Sequence, residues 1–288
     1  MFKDFTTTLV QGPAGALHSL RGGQGAPLLL LHGHPQSHVM WHLVADELAK
    51  HFTVVTMDLR GYGDSVRAPA DAEHLNYAKR TMALDAIAVM KHHGFDRFQV
   101  LAHDRGARVA VDHPSAVQRL MALDIAPTLG MYDNTTDAFA RAYWHWFFLI
   151  QPPPLPEALI DADPVRYMRS LMGKRHAGLD AFTPEALAEY ARCALIPGTS
   201  TSMCEDYRAS ASIDLVHDRA DVAAGKKLTQ PLRVLWGEHG VVDKCFDVLG
   251  LWRERATDVS GASVPCGHYI AEEAPQALLA EALQFFKP

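Results

Sequence analysis

The chain has 288 residues, 48% of them hydrophobic and 9% aromatic, enough apolar mass for a large packed core. Its formal charge of −6 argues against a nucleic-acid partner, and no apolar run approaches the ~20 residues of a membrane-spanning helix. The start, Met1-Phe2-Lys3-Asp4-Phe5, lacks the apolar stretch of an export signal, and Cys193, Cys204, Cys245 and Cys266 form no C-x-x-C pair, so reduced thiols in a cytoplasm are expected.

Taken along the chain, Pro27 to Leu31 is a short apolar strand running into His32-Gly33-His34-Pro35. A helical stretch, Trp41 to His51, leads to a second strand from Phe52 to Asp58. A helix from Tyr77 to His93 precedes a third strand, Phe98 to Leu101. Further strands are expected at Leu120 to Ile125 and Leu232 to Gly237, and a last helix at Pro275 to Phe286. Apolar runs without alternation suit parallel strands buried on both faces. Their alternation with helices implies an α/β fold with a mostly parallel, doubly wound sheet, whose sites gather at the C-terminal ends of the strands. Residues 128–212 break the rhythm with the aromatic run Tyr143-Trp144-His145-Trp146-Phe147-Phe148, a stiff Pro152-Pro153-Pro154 connector and further helical patterns. An inserted helical cap is expected there, between core segments 1–127 and 213–288.

Leu101-Ala102-His103-Asp104-Arg105-Gly106-Ala107-Arg108 has the strand, sharp turn and helix of a nucleophile elbow, with Ala102 and Gly106 as the small neighbours. The exposed position holds Asp104. A carboxylate suits attack on saturated carbon, because the resulting ester keeps its carbonyl on the enzyme, where water can cleave it. That chemistry fits a dehalogenase or an epoxide hydrolase. A base is then needed, and the late Gly267-His268 before the last helix supplies His268. Two acids compete to orient it. Asp124 is a lone carboxylate at a strand end, whereas Asp243 sits beyond Gly240 in what reads as an ordinary loop, so Asp124 is favoured. The oxyanion on the ester would be met by the backbone N–H groups of His34 and Arg105. His32 and His34 have no evident third ligand, so neither a metal nor a cofactor is expected.

Arg105 and Arg108 lie one helical turn apart beside the nucleophile. Two guanidinium groups there would keep Asp104 ionised and hold a substrate carboxylate in a planar fork. A halogenated acid is therefore a sharper expectation than a neutral haloalkane.

Together these motifs resemble the fluoroacetate (haloacetate) dehalogenase family of α/β-hydrolases over nearly the whole chain. The matching stretches are His32–His42, Asp58–Ser65, His103–Arg108, Leu123–Thr128, Tyr143–Trp146, Cys204–Ala209 and Gly267–Tyr269. The resemblance implies the α/β-hydrolase fold, attack by Asp104 on the α-carbon, ester hydrolysis driven by Asp124 and His268, and carboxylate binding by Arg105 and Arg108. It further implies a halide pocket made by His145, Trp146 and Tyr207, a small anionic halogenated acid and water as reactants, and a homodimer. Imidazole, indole and phenol donors suit fluoride, which needs several hydrogen bonds once desolvated. Two departures stand out. His34 replaces an aromatic such as Phe, and the helix after the elbow is about four residues shorter than the family's, close to one ~3.6-residue turn. An epoxide hydrolase shares Asp104 and His268 but calls for two cap phenols, Tyr207 with Tyr143, Tyr167 or Tyr190. A carboxylate-binding protein without catalysis is the remaining alternative.

Overall fold

The computed structural model describes residues 1–104 and 108–287, except for the side chains of Arg108 and Val109. Strands β1 (Thr6–Gly12), β2 (Gly15–Gly22), β3 (Ala26–Leu31), β4 (Phe52–Met57), β5 (Phe98–His103), β6 (Val117–Leu123), β7 (Leu232–Gly237) and β8 (Val259–Val264) form an 8-stranded sheet. Their order is β1-β2-β4-β3-β5-β6-β7-β8. β1 pairs β2 and β2 pairs β4 antiparallel, and every pairing from β4 to β8 is parallel.

The central strands are buried on both faces, as their unbroken apolar sequences require. Leu28 and Leu30 of β3 pack with Trp41, Val44, Leu48 and Phe286 on one side of the sheet. Leu29 and Leu31 pack with Val55, Val89 and Met90 on the other. This even–odd division is the period-two geometry of a strand. β1, β2 and β8 escape that signal. β1 and β2 carry polar residues at the antiparallel edge, and β8 reads Val259-Ser260-Gly261-Ala262-Ser263-Val264.

One expected helix is corrected. Trp41 to His51 is not continuous: a 3-10 helix at His38–Trp41 is followed by a short helix at Ala45–Leu48. Val44, at φ −121°, lies outside the helical region and separates the two. The helix expected from Tyr77 forms at Lys79–His92. The helix after the elbow, Arg108–Asp112, has 5 residues. It stops just before His113-Pro114, where the proline disfavours helical backbone in the residue preceding it.

Between β6 and β7 the chain is helical. The helices are Thr128–Asp133, Asp137–Ala142, Trp144–Leu149, Leu155–Asp161, Pro164–Gly173, Pro184–Ala194, Thr199–Ala211 and Ile213–Ala223. Local chemistry sets several starts. The side chains of Thr136, Asp163 and Thr183 accept from the backbone N–H groups of Phe139, Arg166 and Ala186, and Pro164 and Pro184 open their helices. This helical segment brings Tyr143, His145, Trp146, Arg175 and Tyr207 toward the C-terminal edge of the sheet. Among the described residues, no helix is long and apolar enough to cross a membrane.

Candidate active site

Asp104 directly follows β5 with φ at 59°, in the left-handed region that non-glycine residues seldom adopt. A side chain held there points away from the strand's own course, which is how an elbow presents its nucleophile. Its backbone N–H donates to the Leu123 carbonyl at 3.2 Å, tying the turn to β6. A Cβ on Gly33 would come within 2.7 Å of the Asp104 Cβ. Glycine at position 33 therefore lets the His32–His34 turn lie against the elbow, bringing the His34 main chain beside the nucleophile.

Asp124 directly follows β6 and is also left-handed, with φ at 47°. Its buried carboxylate accepts two hydrogen bonds. The backbone N–H of Gly237 donates to Oδ1 at 3.0 Å, and His268 Nδ1–H donates to Oδ2 at 2.5 Å. The first bond locks the carboxylate to the end of β7. The second fixes the His268 tautomer, leaving Nε2 as the basic nitrogen. Asp243, the competing acid, accepts instead from Trp236 Nε1 at 2.6 Å on the exposed side of β7. Asp104, Asp124 and His268 thus come from the ends of β5 and β6 and from the turn beyond β8.

Burial pushes His268 down to about 3, and Arg175 adds to the shift while Asp104 opposes it. Burial also raises Asp124, against the pull of the Gly237 N–H. A neutral His268 at ordinary pH is the protonation state a general base needs. His103 packs its ring 4.6 Å from that of His268 and donates Nε2–H to the His268 carbonyl at 2.9 Å, so it positions the loop that carries His268.

The expected halide donors do converge. His145 stacks on His34 with ring centroids 5.9 Å apart, and Tyr207 meets His34 edge-on at 5.0 Å. Trp146 lies 6.2 Å from Tyr207, and all four rings are buried. Asp104, Ile125, Trp146 and Tyr207 line a small cavity of ≈ 80 Å³. The His34 side chain has hydrogen bonds of its own. Its Nδ1–H donates to the Tyr62 hydroxyl at 3.2 Å, which donates to Asp206 at 2.9 Å, and Lys79 pairs with the same carboxylate. Arg105 and the Arg108 side chain, expected to hold the substrate carboxylate, lie outside the described residues.

Sequence reasoning missed Arg175, whose guanidinium sits 4.3 Å from the centre of the Tyr143 ring, while the Tyr143 hydroxyl reaches within 3.4 Å of His268 Nδ1. The Lys174-Arg175-His176 run reads as a solvated helix end and gives no hint of this placement. For metals, the ligand atoms of His18, His38 and Asp58 lie within 4.8 Å of one another. Both imidazoles already donate to Asp58, at 2.9 and 2.8 Å, and the Asp58 carboxylate also accepts from the backbone of His38 and Asp64. That cluster is closed by its own hydrogen bonds and braces the loop after β4.

The model of the alpha/beta hydrolase fold family matches residues 26–275. This chain is an α/β-hydrolase. Over 280 residues the hydrolase is 41% identical to a fluoroacetate dehalogenase of Burkholderia sp., covering 96% of this chain and 91% of that protein. It is also 36% identical to a soluble epoxide hydrolase of Corynebacterium sp. (strain C12), covering 94% of each. A solved structure of ALR0039, a putative alpha/beta hydrolase from Nostoc sp. PCC 7120, superposes with a TM-score of 0.95 at 51% identity, covering 100% of this chain and 99% of that one.

The buried histidines of the hydrolase predict its acid stability. Burial lowers His32 and His103 to about 4 and His268 to about 3, from an ordinary 6.5. Below 6.5 the unfolded chain binds protons that the folded chain refuses, so each group withdraws stability as pH falls toward its folded value. Asp124, raised to about 7, and Glu272, also raised, act in the opposite sense over the same interval, so the denaturant midpoint is expected to drop between about pH 7 and about pH 5 by less than the three imidazoles would give alone. Imidazole NMR titration of the folded protein separates the groups, and rings that titrate near 6.5 would remove the histidines as the source of acid sensitivity.

Proposed function

We propose that this α/β-hydrolase is a hydrolytic dehalogenase that converts fluoroacetate and related haloacetates to glycolate and halide. The convergence of His145, Trp146 and Tyr207 beside Asp104, above a base–acid pair, is the observation that carries this reading. An Asp104 carboxylate oxygen attacks the α-carbon, and the carbon–halogen bond breaks with its electron pair leaving on the halide. The imidazole, indole and phenol groups stabilise that departing charge. Water then loses a proton to His268 Nε2 and attacks the Asp104 carbonyl carbon. The tetrahedral oxyanion is stabilised by main-chain N–H groups, with His34 the described candidate. Collapse expels the glycolate oxygen, which recovers its proton from His268. The cavity beside Asp104, at ≈ 80 Å³, suits acids of a few carbon atoms. By this reading Arg105 and Arg108 hold the carboxylate.

One observation favours a second reading. Tyr143 and Tyr207 both pack against His145 and Trp146, and the Tyr143 hydroxyl faces His268. Two phenols so placed suit an epoxide oxygen, and the Corynebacterium relative is named an epoxide hydrolase. The deciding experiment measures halide and glycolate release from fluoroacetate and chloroacetate, with wild type beside Asp104→Asn. Release of both products by wild type alone is expected. Folded wild type that turns over an epoxide and leaves both haloacids intact transfers the assignment to epoxide hydrolysis.

A further inference from the structure

Two openings reach the catalytic centre, and their walls differ in charge. The cavity beside Asp104 is bordered outward by Lys79 and Arg255 but also by Asp214 and Asp218. The second opening is a cleft of ≈ 540 Å³ that ends on His268. Its charged walls are Arg141, Lys174, Arg175 and Lys244, and among the described residues no carboxylate lines it. Asp124 lies behind His268 at the inner end, and at the rim Asp137 pairs Arg141 at 2.7 Å and Glu238 lies 3.3 Å from His239. This basic cleft belongs to a chain whose formal charge is −6. An anion is therefore repelled by the protein as a whole and drawn to this face.

Arg175 sharpens the point. Its guanidinium lies over Tyr143 and against the Tyr269 hydroxyl, but among the described residues no carboxylate pairs with it, and its Nε is buried without a hydrogen-bond partner. A half-buried guanidinium that feels Asp124 only at a distance, with no carboxylate in ion-pair contact, is short of a counter-charge, and an arriving anion supplies one. The contrast within the molecule is instructive. Arg60, more deeply buried, is held by Asp85 at 2.7 and 2.9 Å, and Arg208 by Glu157 and Glu205 at 2.6 and 3.0 Å.

We propose that the cleft ending on His268 is the passage by which small carboxylate anions reach and leave the active site, with Arg175 as its inner anion-binding residue. This deepens the dehalogenase reading and rests on it for the identity of the anion. Lys174 and Lys244 gather the acid at the mouth. Arg175 takes its carboxylate next, in a planar fork. The long side chain then swings on its stem over Tyr143 as the anion moves inward. Product leaves by the same route, so glycolate competes with substrate for Arg175.

The test compares wild type with Arg175→Met, Arg175→Lys and Lys174→Glu/Lys244→Glu. Methionine keeps an apolar stem on Tyr143, so folding is preserved while the charge is lost. Acetate binding is measured by calorimetry, and chloroacetate turnover at low and moderate salt. Arg175→Met is expected to weaken acetate about tenfold and to raise KM more than it lowers kcat, with partial recovery in Arg175→Lys. The double variant is expected to lose most of the salt dependence of kcat/KM, because steering charges act within a Debye length of ~10 Å at 0.1 M salt. Wild-type acetate affinity in Arg175→Met, or a wild-type salt slope in the double variant, overturns the passage. Failure of the function reading looks different. Wild type then binds acetate in an Arg175-dependent way but releases no halide.

Discussion

His268→Asn is expected to release one halide per site from chloroacetate and then stop. The first step needs only the Asp104 carboxylate and the donors around the leaving group, and His268 takes no part in it. The second step requires a base at the Nε2 position, and asparagine offers none. The amide retains a donor for Asp124, so the buried carboxylate keeps a partner and the turn is held. The trapped species is an ester on Asp104, detectable by mass spectrometry as one carboxymethyl group per chain. Sustained turnover in this variant would place the base elsewhere, and Tyr143 would be the neighbour to examine.

Asp124→Asn is expected to slow ester hydrolysis about 10⁴-fold while leaving halide release comparatively intact, the size of loss seen when an orienting acid becomes an amide in a catalytic triad. Asp124 accepts from both Gly237 N–H and His268 Nδ1–H. Asparagine has one acceptor oxygen and one donor nitrogen. If the oxygen faces Gly237, the NH₂ group faces His268 and turns Nδ1 into an acceptor, which puts the proton on Nε2, where the base must be free. Rapid-quench measurements separate the two steps. Steady-state rates within tenfold of wild type would mean that His268 is oriented by other contacts, such as its packing on His103.

The parts of the fold that were legible are those where a single physical demand dominates. β3, β4 and β5 must be apolar on both faces, so Leu28-Leu29-Leu30-Leu31 announces itself. β8 lies at the sheet edge and is made largely of small residues, so nothing in its composition marks a strand. The choice between Asp124 and Asp243 was legible because a lone carboxylate ending an apolar strand needs a buried partner. Trp41 to His51 misled because apolar spacing continues through Val44, while the Ser37 cap fixes a tight turn first. Arg175 could not be read at all. Its meaning comes from Tyr143 and His268, which are distant in the chain.

The parallel pairing of β6 with β7 has a consequence for how such an enzyme diversifies. Leu123 ends β6, whereas β7 begins at Leu232 opposite Leu120, so the helices from Thr128 to Ala223 leave one end of the sheet and lead back to the other end of the adjacent strand. Such a crossover is tied to the sheet at its two ends alone. Its length and sequence are free to vary while Asp104, Asp124 and His268 keep their register. A graft of the corresponding segment from a relative would exchange His145, Trp146 and Tyr207 and the Arg141, Lys174 and Arg175 wall of the basic cleft together, as one inherited unit, and leave Asp104, Asp124, His268 and Lys244 in place.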